Sequence, residues 1–429
     1  MTAKQTTASD YSTSQVPASA TYSGWHIALV IVGGTISIPG FLMAANIGAN
    51  LGLKTAAVAF ASGCFVLGFL GALTGLAGQR SGLSAYMLCE FAFGRWGGRF
   101  ASFIVACSLV GWFGVISTIF AKAARLLGTE VFDVDWPIEI YVVVSGVLIV
   151  GVTVSGFKGI DKLALALVPV MIGFLLLAAW LSYGDVETWT AATEGGDMTL
   201  VLAISAVIGS YIAGVTIQPD YSRFARSRAA SLGSAFVALG VSFPLVLFCV
   251  AVPAVAVGEP DLFKVMFILG IGIPAFFLLL LAAWSSNVLN VYSASLSLAT
   301  IFVRIPLRTI VIAIGVIGTG LALARVDEYL TGYLILLGIT VPPISSIYIV
   351  DALMMRDQFD EKALQQRPAI VYRSIIAWIS AVAVGYMSYL GIFTLTSVAA
   401  LDSIAVAGVL SYVLRPLDRL QQASLRETG

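Results

Sequence analysis

Charge is scarce in this sequence. Asp, Glu, Lys and Arg make up 11% of its 429 residues and hydrophobic residues 59%, whereas a soluble domain carries about 25% charged residues. That excludes a soluble body of this size, and the apolar excess, with a mean hydropathy of +0.97, must face lipid. Net charge is zero, so no electrostatic footprint for nucleic acid exists. Histidine is nearly absent. His26 alone excludes a His-rich metal site and the embedded His cluster of a membrane enzyme. It stands beside Trp25 at the start of the first apolar run and reads as interfacial. The four cysteines (Cys64, Cys89, Cys107, Cys249) show no CxxC spacing and read as small buried hydrophobes. Residues 1–23 are polar and lack the basic start and short apolar core of a secretory signal. They read as a mobile cytoplasmic tail, and the first span as the insertion signal.

What is present is a succession of apolar runs long enough to cross a bilayer, which takes roughly 20 residues. The expected fold is an all-α polytopic membrane protein of about twelve spans. They fall at 24–48, 55–78, 97–127, 139–157, 161–183, 198–222, 231–257, 273–303, 306–324, 328–353, 369–391 and 393–414. With the amino terminus inside, only Lys54, Lys122, Arg125, Lys264 and Arg325 of the 23 basic residues lie outside. Outer loops collect acids instead: Glu130, Asp133, Asp135, Asp185, Glu187, Glu194 and Asp197. The positive-inside rule then places both termini, 1–23 and 415–429, in the cytoplasm.

Two spans carry helix breakers at corresponding places. The first reads Gly33-Gly34-Thr35-Ile36-Ser37-Ile38-Pro39-Gly40, and the sixth Gly209-Ser210-Tyr211-Ile212-Ala213-Gly214-Val215-Thr216. Glycines often serve only close helix packing. Their matched placement here predicts two inverted five-span repeats, 24–183 and 198–353, each opening on a broken helix, with two extra spans at 369–414. A break strands backbone polar groups in lipid and is tolerable where it lines a solute or ion site.

Polar side chains within spans are few. Span eight holds Ala282-Ala283-Trp284-Ser285-Ser286-Asn287-Val288-Leu289-Asn290. Its hydroxyls, with carbonyls freed in span one, would form a neutral-oxygen site for a hard cation such as sodium. Asn287 and Asn290 share a helix face. They either bond a neighbouring helix or read a solute. Span three holds Ser108-Leu109-Val110-Gly111-Trp112-Phe113-Gly114, where flanking glycines let a flat ligand approach the indole face. Tyr211 could cover the opposite face. Asp402 reads as the most central charge, either paired structurally or coupling protons. Asp220 with Arg223 and Asp351 with Arg356 read as structural pairs near inner span ends.

Together these segments resemble the nucleobase-cation-symport family, in particular its bacterial cytosine-permease branch. The match rests on Val110-Gly111-Trp112-Phe113-Gly114, Asp220-Tyr221-Ser222-Arg223-Phe224, Val341-Pro342-Pro343, Arg80-Ser81-Gly82-Leu83 and Trp284-Ser285-Ser286-Asn287, in this order. The resemblance implies the LeuT-like fold of sodium-coupled amino-acid and hydantoin carriers, alternating access and a bacterial inner-membrane location. It assigns sodium to hydroxyls of Ser285 and Ser286 and backbone carbonyls of Gly34, Ser37 and Ala282. It stacks the solute between Trp112 and Tyr211; apart from the resemblance, Ser108, Ser210, Asn287 and Asn290 are this chain's own hydrogen-bonding candidates. Compared cytosine carriers have glutamine where this chain has Leu109, and asparagine where it has Ala282. Both changes remove amides that read a base edge. They weaken the case for cytosine and leave open a purine, a modified pyrimidine or another flat heterocycle. No prosthetic cofactor is implied. The expected function is ion-coupled symport of a planar heterocycle. Proton coupling or a non-transporting sensor is the alternative. A passive channel fits less well, because no charged ring or carbonyl filter is visible.

Overall fold

A computed structural model describes residues 11, 14–182, 198–258, 265, 268, 270–354, 364, 367–418 and 421. Among them the architecture is helical. The principal helices are α1 (Gly24–Thr35), α2 (Ile38–Ser81), α3 (Ala85–Phe93), α4 (Arg95–Phe132), α5 (Ile138–Thr153), α6 (Phe157–Ser182), α7 (Leu200–Thr216) and α8 (Pro219–Ser222). They continue as α9 (Arg228–Ala235), α10 (Phe243–Val257), α11 (Gly272–Ile301), α12 (Leu307–Leu323), α13 (Leu330–Thr340), α14 (Pro342–Met354), α15 (Tyr372–Tyr389) and α16 (Ala399–Val413). Five continuous stretches among the described residues are long and apolar enough to cross a bilayer: Pro39–Ser81, Arg95–Thr129, Ile160–Ser182, Arg228–Val257 and Leu336–Met354. Large apolar side chains such as Phe65, Val147, Trp180 and Val316 point outward, as lipid solvation requires of an integral membrane protein.

Helices α4 and α11 share the most extensive contact, followed by α10 on α2 and α2 on α7. Phe41, Phe60, Phe113 and Leu247 are fully buried where these elements meet. Helices α15 and α16 pack on each other and reach the remainder chiefly through α14.

The backbone departs from the hydropathy reading in four places. The loop expected between the first two spans is a sharp bend inside α2, where Gly52 takes φ 70°, a conformation glycine adopts without steric cost. The sixth span is unbroken at Gly209–Thr216, all of which is helical. Its interruption falls later, at Ile217 and Gln218. There the N–H groups of Ile217, Gln218 and Asp220 still find the carbonyls of Ala213, Val215 and Ile217, so that helix tightens rather than opens. The last span begins at Ala399, which puts Asp402 in a first turn and not at mid-depth. Its carboxylate accepts hydrogen bonds from the hydroxyls of Ser388, Thr394 and Thr396 and from the N–H groups of Leu395 and Thr396. Asp402 thus clamps the preceding turn as a helix-start carboxylate.

The fourth departure is the polar N-terminal segment, which is docked from Gln15 to Tyr22. The Gln15 side chain donates to the carbonyl of Ser81 (2.8 Å) and the Val16 N–H to that of Gly82 (3.1 Å). Tyr22 forms a parallel bridge with Ala225. His26 has a partner beyond the interface: its Nδ1 lies 3.0 Å from the Asp161 carboxylate, tying α1 to α6.

The charged groups near these span ends have further partners. Arg356 lies outside the described residues, as do Asp185, Glu187, Glu194, Asp197 and Lys264. Asp351 is bound by Arg373, through two hydrogen bonds of 2.9 and 2.8 Å with both side chains 1% exposed. The Asp220 carboxylate accepts the Ala85 N–H (2.8 Å). Arg223 reaches the Asp220 carbonyl (3.2 Å), the Tyr11 carbonyl (2.8 Å) and the Tyr292 hydroxyl (3.1 Å).

Candidate functional site

The span-one break is complete. Helix α1 ends at Thr35, Ser37 is extended (φ −137°, ψ 146°), and α2 restarts with Pro39 in its first turn. Proline is tolerated there because its missing N–H has no helical partner anyway. Carbonyls at the end of α1 are thereby released from the helical ladder. Helix α11 supplies what faces them. The Ser286 hydroxyl donates to the carbonyl of Ile36 at 3.2 Å. A Cβ on Gly33 would come within 2.8 Å of the Ser285 Oγ. So the break and the paired serines, distant in sequence, share one locus. Ala282 is buried one turn earlier on α11. Among the described residues no cluster of His, Cys, Asp or Glu could hold a metal ion. An ion at this locus would therefore be held by neutral oxygens, a donor set that suits a hard monovalent cation.

Beside it opens a cavity of about 460 Å³, lined by Gly34, Ser37, Trp112, Tyr211, Ser210, Ser286 and Asn290 among others. It is large enough for a small organic ligand. Its remaining wall is mostly apolar, with Met43, Leu109, Ile116, Leu202 and Leu289. Tyr211 reaches across to the break: a Cβ on Gly34 would lie 2.9 Å from the Tyr211 hydroxyl and 2.7 Å from Leu289 Cδ1. Only glycine leaves room for that crossing, and Tyr211 leans on Phe243 (ring centroids 5.9 Å apart).

The structure brings together seven of the eleven residues expected from sequence. Four lie outside the cavity lining. Ser108 is 2% exposed and its hydroxyl donates to the Val105 carbonyl (2.7 Å), so it serves its own helix. Asn287 is fully buried against α4, donating to the Phe113 carbonyl (3.3 Å) and the Ser117 hydroxyl (3.0 Å). Its carbonyl oxygen accepts from Asn290 (3.3 Å), so Asn287 holds the residue that reaches the cavity. Ser285 and Ala282 face the packed side of α11, with Ser285 against Gly33.

One residue missing from the sequence reading is Tyr333. Its ring meets Trp112 edge-on, with centroids 6.1 Å apart at 73°, and its hydroxyl donates to the Ser108 carbonyl. Helix α13, which carries it, is separated from α14 at Val341-Pro342. On the α8 side the cavity ends at Tyr221, whose hydroxyl lies 3.3 Å from that of Ser293 on α11. The Tyr348 hydroxyl donates to the Thr216 carbonyl (2.7 Å) nearby. These contacts tie α8 to α11 and α14 to α7.

A second cavity of about 470 Å³ lies between α4, α5 and α12. Several of its charges are paired: Arg125 bonds Asp135 at 2.7 and 3.1 Å, and Lys122 meets Asp327. The Arg125 guanidinium holds the Asp135 carboxyl below the usual carboxylate range. Such exposed pairs contribute little stability.

The helical arrangement has known counterparts. A family described as permeases for cytosine/purines, uracil, thiamine and allantoin matches residues 15–414. The chain belongs to this family. The permease is 26% identical over 381 residues to the cytosine permease of Escherichia coli strain K12, covering 88% of this chain and 89% of that one. Its fold is similar to that of Mhp1, a nucleobase-cation-symport-1 family transporter, in a closed conformation with bromovinylhydantoin bound. That likeness has a TM-score of 0.81 at 19% identity over 94% of this chain and 96% of the other. A Na+-coupled sialic acid symporter in a substrate-bound outward-open state shares the fold at a TM-score of 0.70 and 13% identity, over 96% and 93% of the two chains. The permease is therefore a transporter and not an enzyme.

Proposed function

We propose that this permease is a sodium-coupled symporter that carries a nucleobase or related planar heterocycle by alternating access. The observation that supports this most is the hydrogen bond from Ser286 to Ile36, because it sets the span-one break beside the cavity that Trp112 and Tyr211 line. Sodium would take Ser286 and Ser285 as hydroxyl ligands and carbonyls around Gly34, Ser37 and Ala282. It would draw the break toward α11. The heterocycle would lie between the faces of Trp112 and Tyr211, with Asn290 and Ser210 at its edge. Ser108 and Asn287 would then support the two helices that hold it. Coupling follows if sodium and solute each favour a conformation that the other also favours.

In this reading the chain comprises two inverted repeats, 24–183 and 198–353, and two further spans within 369–414. Residues 1–23 and 415–429 face the cytoplasm, and the protein resides in the bacterial inner membrane. The unequal breaks in spans one and six assign them different tasks. The open one releases carbonyls for an ion, and the tightened one keeps Tyr211 on a continuous helix.

Ser286→Ala tests the ion site. A hydrogen-bonding oxygen on a charged group is worth about 1.5–3 kcal/mol, so half-maximal uptake should need at least about tenfold more sodium. Solute affinity at saturating sodium should change little. Unaltered sodium activation in the folded variant would remove Ser286 from the ion site.

A further inference from the structure

The hydrogen bonds around the cavity fix which polar atoms its wall presents. The starting point is the carbonyl of Phe113, which can only accept. The side-chain amide that meets it must turn its NH2 group toward it, so Asn287 donates there (3.3 Å) and to Ser117 (3.0 Å). That leaves the Asn287 carbonyl oxygen to face Asn290, which must in turn donate (3.3 Å). Asn290 lines the cavity, and its carbonyl oxygen is left as an acceptor beside its second N–H. Three of the four cavity serines follow the same rule. The hydroxyl protons of Ser205, Ser210 and Ser286 go to the backbone carbonyls of Val201, Val207 and Ile36, at 2.8, 2.7 and 3.2 Å. They offer lone pairs to a ligand. The Ser37 hydroxyl and the phenols of Tyr211 and Tyr389 can turn either way. The Trp112 indole N–H lies in its ring plane and misses a ligand stacked on the ring face.

From this arrangement we infer that the site selects heterocycles bearing an exocyclic amino group over their oxo counterparts, and that Asn287 is the positioning residue that sets this preference. The inference rests on the heterocycle reading given above. An amino group brings two N–H donors to a wall whose fixed side-chain groups are mostly acceptors. An oxo group brings lone pairs to the same acceptors and can be met only by the Asn290 N–H or by a hydroxyl that turns, which costs affinity. Asn287 acts only through Asn290. The Phe113 carbonyl alone suffices to orient it, so Ser117 is a secondary support.

The test is a direct binding measurement on the purified, full-length protein with two ring-matched pairs, cytosine against uracil and adenine against hypoxanthine. The amino member of each pair should bind roughly tenfold tighter or more. Asn287→Leu frees the Asn290 amide to turn over, and the amino-to-oxo ratio should fall toward one. Ser117→Ala should leave the ratio in place. A ratio of affinities is insensitive to the fraction of protein that is folded, so a destabilised variant still reports. Equal or reversed preference in the wild type overturns the inference. A preference that survives Asn287→Leu overturns the role of Asn287. Binding of neither pair by folded protein brings down the heterocycle reading itself, and this inference with it.

Discussion

Replacing Trp112 with alanine should weaken heterocycle binding by about a hundredfold, or roughly 2.8 kcal/mol. The indole is half-buried in the cavity wall on α4, opposite the helix that carries Tyr211. A stacked ring gains 0.5–1.5 kcal/mol beyond the effect of apolar burial, and burial of the ligand face supplies the remainder. Trp112→Phe keeps a smaller face and should lose much less. Part of any loss could come from Tyr333, whose ring rests edge-on against Trp112. Tyr333→Phe separates the two effects. It keeps the ring contact and removes only the hydrogen bond to Ser108, so binding should change far less than in Trp112→Ala. Equilibrium binding of a labelled nucleobase to each purified variant checks all three. Near wild-type affinity in Trp112→Ala would end the stacking role.

The largest stability effect should come from Arg373→Ala. Arg373 donates to both oxygens of Asp351, to the carbonyl of Ser411 (2.9 Å) and to the Ser411 hydroxyl (3.2 Å). It thereby joins α14, α15 and α16 at one point with almost no solvent access. Removing it leaves the Asp351 carboxylate buried without its counter-charge, which costs about 3–5 kcal/mol. Replacing both partners, as in Asp351→Leu with Arg373→Met, should recover much of that loss. A buried pair is often worth little relative to well-packed apolar groups. Thermal unfolding in detergent, followed by tryptophan fluorescence, distinguishes these outcomes. An unchanged midpoint in Arg373→Ala would show that α15 and α16 are held by packing alone.

The all-helical, membrane character was legible in the sequence because lipid imposes a length and polarity rule on every crossing helix. The break at Ile36 and Ser37 was legible for a related reason. A glycine–proline cluster inside an apolar run has few uses other than to open the backbone. The second cluster misled, since Gly209 and Gly214 sit in intact helix and the interruption comes at Ile217. Glycine permits a break without forcing one, and close packing is its other use. There a Cβ on Gly214 would come within 2.6 Å of the Tyr211 ring.

Helical phase explains the misassigned polar residues. Spacing placed Asn287 and Asn290 on one face but could not say where the cavity ended and α4 began. Asn290 fell on one side of that line and Asn287 on the other. The pairing of Asp351 with Arg373 left no local signal, because Arg373 lies beyond a long connection. Tyr333 carried no signal, as an aromatic in an apolar run looks like any lipid-facing residue. The docking of Gln15 to Tyr22 was hidden for the opposite reason. It relies on main-chain groups of Ser81, Gly82 and Phe224, which composition does not record.

Sodium-driven uptake is the central claim, and reconstituted protein tests it most directly. Proteoliposomes containing the purified permease would be given a labelled nucleobase outside, first with an inward sodium gradient and then with equal sodium on both sides. The account predicts accumulation above the outside concentration only under the gradient, and its release when the gradient is collapsed. Uptake that is indifferent to sodium, or absent in protein shown to be folded, would contradict it.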